Sequence, residues 1–480
     1  MVAVWRGTFE VQTTVRPKLV VSADGRGVVS HAGSRLLADL ADRTTLSGEL
    51  VEALRHLARP RTAHAPGRVL VDVAVAVCDG AECISDIAVL ADQPDLFGAV
   101  ASDSTVWRLL DQLDTAEQAA VAAARAAARE VAWAQRAEVT GTPVPAAIAA
   151  GVELPGLVID TDASIVECHS EKESAAATFK STFGYHPILA FLDNSQEFLA
   201  GLLRPGNAGA NTAADHITVL DAALAQIPDA SRHGVPLLVR ADGAGCSKAF
   251  LAHVRSLRAQ GVATEFSVGW AVTDRERDAI DRLPAKAWTG AVDADGRPRD
   301  GAHVAELTGL LPARTLADYP AGTRVLIRRE RPHPGAQLDA FEERDGWRYQ
   351  CLATDTEVGQ LAFLDARHRA HARVEDRIRC GKDTGLGRFP SRTFSINAAW
   401  LTAVMLAVDL ISWAQTILLH DQPALAKAEP KTLRYRLLHT AARLVHGGRR
   451  LRLRLDTHWP WAAALAAAFA RCHALPQPAH

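Results

Sequence analysis

Leu157-Val158-Ile159-Asp160-Thr161-Asp162 is a short apolar run that ends in carboxylates, and Val235-Pro236-Leu237-Leu238-Val239-Arg240-Ala241-Asp242 repeats the arrangement further along the chain. Unbroken apolar runs of this length, bounded by turn residues, predict buried strands. In an open α/β sheet the strand ends are where loops leave room for a ligand, so both runs deliver carboxylates to a prospective site. Side chains alternate along a strand, which puts Asp160 and Asp162 on the same side. Either can be the first acidic group of such a site.

The neighbouring segments set the fold class. Pro187 to Leu192 predicts a second strand, Asp193-Asn194 a turn and Glu197 to Leu203 a third strand. Pro205-Gly206-Asn207 breaks the sheet, and Asn211 to Gln226 has helical periodicity. After Asp242, a helix from Ser247 to Gln260 closes on Gly261. The order strand, strand, strand, helix, strand, helix predicts an α/β protein with a ribonuclease H-like core. From Thr264 to Asp355 the alternation stops. Strand-like pieces at Glu265 to Trp270, Thr323 to Arg328 and Trp347 to Thr354 lie among Pro- and Gly-rich loops, which predicts a β-rich insertion.

Upstream, Met1 to Gly33 holds Val-rich fragments and an Asp24 to Gly27 turn. Helical patterns follow at Ser34 to Arg43, Ser47 to Leu57, Pro66 to Val77 and Cys83 to Leu90. Ser102 to Ser104 caps a helix reaching Leu113, and Thr115 opens an Ala-rich helix to about Gln135. Gly141 to Gly156 reads as a linker. The expected organisation is a helical N-terminal DNA-binding domain (1–140), the first part of the core (156–262), the insertion (263–360), the second part of the core (361–420) and a basic C-terminal region (421–480).

Composition narrows the class. A chain of 480 residues, 48% hydrophobic and 22% charged, is globular and long enough for more than one domain. Its net charge of -2 conceals a basic stretch from Arg367 to Arg454, and local charge is what a nucleic acid feels. Seven cysteines without a C-x-x-C pair argue for a reducing, cytoplasmic location and against a zinc module or disulfide framework. The N-terminus lacks a signal-peptide pattern. Ala398 to Leu419 is apolar enough to raise a membrane span, but Asp409 at its centre would cost roughly 2.5 to 3.5 kcal/mol there. A buried core helix, and no membrane partner, is expected.

The stretch Asp365 to Pro390 reads D-A-R-H-R-A-H-A-R-V-E-D-R-I-R-C-G-K-D-T-G-L-G-R-F-P. On a regular helix His368, His371, Glu375, Arg379 and Lys382 share one face, a single carboxylate among cationic or protonatable groups. That face suits a phosphate chain and a metal ion. The spacing H-x2-H-x3-E-x6-K resembles the Y-x2-R-x3-E-x6-K signature of DDE transposases of bacterial insertion sequences. It keeps Glu375 and Lys382 and replaces Tyr and Arg by His368 and His371. K-D-T-G-L at Lys382 to Leu386, N-A-A-W-L at Asn397 to Leu401, D-A-S at Asp162 to Ser164 and R-A-D-G at Arg240 to Gly243 are also similar to that group.

The resemblance implies a cut-and-paste transposase. Asp162, Asp242 and Glu375 would be catalytic and would bind two Mg2+ ions, with Mn2+ as a substitute. Two hard cations about 3.5 to 4 Å apart suit an in-line displacement at phosphorus, and carboxylates are their natural ligands. His368, His371, Arg379 and Lys382 would hold DNA phosphates. The partners implied are double-stranded DNA with terminal inverted repeats and a target DNA, bound by a homodimer.

Other readings stay open. One is a decayed transposase that represses its own element, and another is a ribonuclease H-like nuclease that cleaves by DNA structure. The pair His368 and His371 with Glu375 hints at a transition metal, but no H-E-x-x-H motif accompanies it. Cys83 to Leu90 with Thr105 to Leu113 is spaced like a helix-turn-helix. Trp270, Trp288 and Trp347 are candidates to hold a flipped base or to pack the insertion. Arg434 to Arg454, with R-R-L-R-L-R at its end, is either a strand with one basic face against DNA or an edge protected by charge.

Overall fold

The computed structural model describes residues 19–59, 63–168, 171–448 and 450–476. Its centre is a nine-stranded mixed sheet. In chain order the strands are β1 (Leu157–Ala163), β2 (Ile188–Leu192), β3 (Phe198–Leu202), β4 (Leu237–Ala241), β5 (Thr264–Trp270), β6 (Thr289–Val292), β7 (Pro298–Glu306), β8 (Arg324–Glu330) and β9 (Arg348–Thr354). Across the sheet they lie in the order β6-β7-β8-β9-β5-β4-β1-β2-β3. β4 runs parallel to both β1 and β5, while on the other side of β1 lies antiparallel β2, followed by β3, which pairs antiparallel with β2.

β1 and β4 read as continuous apolar runs because both faces of this part of the sheet are covered. One face, with Leu157, Ile159, Leu237 and Val239, packs under helices Ala213–Ala225 and Lys248–Ser256 through Leu220, Leu224, Phe250 and Val254. The opposite face carries Val158, Asp160 and Asp162 beside Leu238, Arg240 and Asp242. Phe363 and Ala370 pack against Val158 and Leu238 on it.

The β-rich segment is not a separate body. Thr264–Trp270 is a strand of the core, and β9 pairs antiparallel with it from Ser267–Thr354 to Trp270–Cys351. β8, β7 and β6 then extend the same sheet. The physical reason is the edge of β5, whose free N–H and C=O groups need a partner, and the following chain supplies one. Local patterning cannot disclose that pairing. The extension buries its own small core around Ile280, Leu307, Val325, Ile327 and Tyr349.

The longer helices lie on the faces of the sheet or in a layer beside it. They are α1 (Ser34–Arg43), α2 (Leu46–Ala53), α3 (Pro66–Asp79), α4 (Asp103–Gln112), α5 (Thr115–Thr140), α6 (Ala213–Ala225), α7 (Lys248–Ser256), α8 (Leu361–Arg369), α9 (Arg373–Gly381), α10 (Phe394–Trp413) and α11 (Ala462–Ala474), α6 and α7 being the two already placed on the sheet. The N-terminal helices do not make a core of their own. Leu36, Leu70, Val73, Val77, Trp400, Val404, Leu418 and Leu465 belong to one buried cluster, so the chain's two ends pack together. The first part of the Met1 to Gly33 reading lies outside the described residues. The segment expected to open a helix-turn-helix is a 3-10 turn, Ile84–Ile87, followed by the four-residue helix Ala88–Ala91. α4 faces inward through Val106, Leu109 and Leu110, and Arg108 bonds back to the Ser104 carbonyl.

Among the described residues, Phe394–Leu418 is the one helical stretch long and apolar enough to cross a membrane, and 72% of its most apolar window is buried inside the protein. Asp409 explains its fate. Arg125 Nε donates to Asp409 at 2.7 Å, Arg129 donates to the same carboxylate, and Arg129 Nε also reaches Glu197 at 2.8 Å. Trp413 and Trp133 donate indole N–H groups to Glu197 at 2.7 and 3.1 Å. All of these polar groups are buried. The network ties α5, α10 and the turn before β3 into one unit.

Removing one partner of such a network strands the other charges in a low dielectric. Asp409→Ala is expected to destabilise the protein by about 3–5 kcal/mol, read as a lowered midpoint in urea unfolding followed by circular dichroism.

Candidate active site

The site forms where β1 and β4 end side by side. Thr161 is the register partner of Ala241, so the next residues stand at the same level on neighbouring parallel strands, Asp162 near the end of β1 and Asp242 just past β4. Adjacent strands lie about 4.8 Å apart. Asp242 is exposed, and its carboxylate accepts a hydrogen bond from the Ala244 amide at 2.9 Å. Asp162 is half-buried and accepts from the Ala163 amide at 2.7 Å.

The choice between Asp160 and Asp162 turns on their surroundings. Asp160 is buried under a bidentate pair from Arg240, Nε to Oδ1 at 2.8 Å and Nη2 to Oδ2 at 2.7 Å. His371 Nδ1 donates to the same carboxylate at 2.8 Å. Burial pushes the Asp160 carboxyl up, but Arg240 and His371 outweigh it and hold it below the ordinary carboxylate range. Its oxygens are committed to these partners. Asp162, one alternation further along, forms no ion pair with an arginine, although His371 lies near enough to oppose part of its shift. Burial first, then the nearby charges of Asp242 and Glu375, push its carboxyl up to about 6.

Glu375 reaches the site through a chain of ion pairs. Arg240 extends from Asp160 to Asp193 at 2.9 Å and to the Arg367 carbonyl at 2.9 Å. Arg373 Nη2 donates to Asp193 at 2.6 Å and to the Ile148 carbonyl at 2.8 Å. These contacts press α9 onto the face of β1 and β4 that carries the carboxylates, and Glu375 lies two residues beyond Arg373. Glu375 is exposed and, among the described residues, has no hydrogen-bond or ion-pair partner.

The stretch expected to be one regular helix is broken. A 3-10 turn, Ala370–Ala372, separates α8 from α9, and a π turn, Lys382–Leu386, follows. The five residues therefore do not share a face. His371 lies against Asp160, and His368 Nδ1 is 3.0 Å from the Ser267 hydroxyl. Burial, with His371 and Arg240 nearby, drives the His368 pKa down to about 3, so its ring is neutral at physiological pH. Neither ring is presented to a phosphate. Arg379 is turned to Glu429, with contacts of 2.9 and 3.0 Å, and to Asp376. Lys382 stays at the site: exposed, its Nζ donates to the Ile165 carbonyl at 2.9 Å, and its ammonium feels the charge of Asp162.

The residues missed in the sequence are the ones that hold the site together. Asp193 and Arg373 read as a turn residue and one of many arginines. The motif around Arg240 contained the signal, since an arginine inside an otherwise apolar buried strand demands a buried acid. The N-A-A-W-L motif is structural as well. Asn397 bonds the backbone of Ser391 on both sides, and Trp400 donates to the Gly385 carbonyl at 3.0 Å.

As donors, carboxylates suit a hard divalent ion, and Asp162 lies near enough to Asp242 and Glu375 to feel both charges. Burial, and after it the charges of Asp242 and Glu375, raise the Asp162 carboxyl, and a bound cation would favour its ionised form. Among the described residues, the group of His, Cys, Asp or Glu side chains whose ligand atoms all lie within 4.8 Å of one another is His31, Asp79 and His439. There, each side chain is already committed to hydrogen bonds: His31 to the Asp79 carboxylate at 2.6 Å and His439 to the Asp79 carbonyl at 2.8 Å. That group joins α1 and α3 to the C-terminal segment.

The folded chain holds a proton on Asp162 between about pH 4, where a free Asp titrates, and about pH 6, its value here. Because the folded state binds more protons than the unfolded state in that window, this carboxyl lowers stability as pH rises through it. In the absence of divalent ions, Asp162→Asn is expected to match the parent below pH 4 and to melt at a higher temperature above pH 6. Thermal melts across that range check it.

Residues 11–477 match the family model described as transposase DDE domain group 1. No curated protein matches the chain significantly. Among solved structures, a cryo-EM structure of a piggyBac transposase synaptic complex with hairpin DNA aligns at 10% identity and a TM-score of 0.42, covering 87% of this chain and 83% of that one. With the family match running over nearly its whole length, the chain belongs to the transposase DDE domain group 1 family.

Proposed function

We propose that this protein is the transposase of a bacterial insertion sequence, cutting DNA at the element's ends and joining the freed 3'-hydroxyl to a target. The observation that carries the reading is the level exit of Asp162 and Asp242 from paired parallel strands, with α9 pressed over them by the Asp160–Arg240–Asp193–Arg373 chain. The sheet order β3-β2-β1-β4-β5, with β2 alone reversed between β1 and β3 and β4 and β5 parallel to β1, supports a ribonuclease H-like core.

Asp162, Asp242 and Glu375 are assigned as ligands of two Mg2+ ions. When bound, such ions activate the attacking water or hydroxyl and neutralise charge on the leaving oxygen. The protein's own part is positional. The neighbouring strands fix the two aspartates, α9 brings the third carboxylate, and Lys382 holds a phosphate close to the scissile bond without reading sequence. Arg240 and His371 keep Asp160 ionised and out of the ligand set. His368 and His371 are assigned to positioning the 3-10 turn before Glu375 instead of to DNA.

The DNA partners under this reading are terminal inverted repeats and target duplex. Two ends must be joined, so a homodimer on DNA is the working assembly, in the cytoplasm. Asp242→Asn and Glu375→Gln are each expected to lower Mg2+-dependent nicking of end-bearing DNA by more than about 1,000-fold while end binding persists. Lys382→Ala is expected to weaken binding similarly on all sequences. Nicking of a labelled duplex carrying the element ends, followed on denaturing gels, checks the first expectation. Undiminished cleavage by either carboxylate variant overturns the assignment, and binding without any cleavage by the parent leaves a repressor.

A further inference from the structure

The C-terminal hairpin, Ala442–Gly447 and Arg450–Leu455, is divided by its own alternation. Residues directly opposite one another share a face. Leu444 meets Leu453, Ala442 meets Leu455 and His446 meets Leu451 on one side; Arg443 meets Arg454, Val445 meets Arg452 and Gly447 meets Arg450 on the other. Most of the leucine side is used, with Leu444 buried and Leu453 and Leu455 packed against the core of the helical layer, while Leu451 near the hairpin tip is exposed. Val28–Val29 pairs with the outer edge of Ala442–Gly447, which fixes the hairpin to the protein body.

The arginine side is open. Arg443, Arg450, Arg452 and Arg454 are all exposed, and among the described residues none of the four forms an ion pair. The hydrogen bond recorded for them runs from Arg443 Nε to the Arg26 carbonyl at 3.2 Å. Arg449 lies outside the described residues. Arg443 and Arg454 stand directly opposite each other, an arrangement of like charges that destabilises a ladder. Arg450, Arg452 and Arg454 follow along one strand at intervals of about 7 Å. Guarding an exposed edge takes a charge or two and does not require one sign across a whole face. With 53 basic and 55 acidic residues in the chain, this unpaired group stands out locally against a nearly neutral total.

We propose that this arginine face binds the sugar-phosphate backbone of duplex DNA, independently of sequence, as a contact built on an element separate from the carboxylate site. The choice of DNA as the polyanion rests on the transposase reading. Three guanidiniums in a row span about 14 Å, the axial rise of about four base pairs. Guanidiniums also pair with phosphate oxygens in bidentate fashion.

The test replaces Arg443, Arg450, Arg452 and Arg454 by Gln in the full chain and measures binding to a random-sequence duplex of about 30 base pairs by fluorescence anisotropy, between about 50 and 200 mM salt. The expected result is an affinity reduced at least about tenfold and a slope of log K against log salt that is shallower by about 3 to 4, at about 0.9 per phosphate contact. The melting temperature should be unchanged or higher. Should the fourfold variant fail to fold, Arg452→Gln alone is expected to flatten the slope by about 0.9. Unchanged affinity and slope, with or without added aggregation, overturn the proposal and identify the arginines as edge protection. A parent that cleaves and binds DNA as well as its hairpin variant does refutes the hairpin contact and keeps the transposase. A hairpin variant that loses affinity while the parent shows no cleavage keeps the contact and refutes the catalytic reading. A parent that binds no duplex refutes both.

Discussion

Arg240 is the point through which the candidate site is assembled. It lies fully buried in β4, reaches sideways to Asp160 on β1, onward to Asp193 after β2, and up to the Arg367 carbonyl on α8. Three separated pieces of chain thus meet at one guanidinium. Buried ions are costly to desolvate, and a salt bridge of this kind adds little net stability against an apolar replacement. What it supplies is uniqueness. A one-residue slip of β1 against β4 would strand Asp160 and Arg240 on opposite faces, each without a partner. The register that satisfies them is the one that sets Asp162 level with Asp242.

The same network separates two aspartates that the chain spaces only two residues apart. Asp160 and Asp162 lie on one face of one strand, yet Asp160 is held ionised by cations while the Asp162 carboxyl is pushed up by burial and by like charges. A carboxylate saturated by Arg240 and His371 has no free oxygen for a further ion. One that is half-buried near two other carboxylates, with no arginine paired to it, favours a cation.

Much of this was legible locally. α1 falls on Ser34–Arg43 as its periodicity predicts, β4 falls inside its apolar run, and β1 exceeds its run by one residue, Ala163. The carboxylates at the strand ends were visible for the same reason. Long-range choice was not. Thr264–Trp270 looks alike as a core strand or as the start of an insertion, and its place beside β4 depends on pairing decided across the fold. Arg125 and Arg129 sit in an Ala-rich helix, where nothing nearby shows that Asp409 awaits them in α10. The helical wheel of Asp365 to Pro390 assumed unbroken geometry. The 3-10 turn at Ala370–Ala372 rotates His368 and His371 inward relative to Glu375.

The π turn after α9 shows how the helical layer bears on the site. Gly385 sits at φ +81°, a left-handed conformation that favours glycine, and a Cβ there would meet Val77 of α3 at 2.9 Å and Val404 of α10 at 3.0 Å. Trp400 bonds the Gly385 carbonyl from α10, and Thr384 is buried beside it. Lys382 is therefore presented by a turn clamped between an N-terminal and a C-terminal helix, with Gly385 as the residue that lets the clamp close. The K-D-T-G-L and N-A-A-W-L motifs are two halves of that joint. Together they fix the turn that presents Lys382, and α10 is itself tied to α5 by the ion pairs of Asp409 with Arg125 and Arg129.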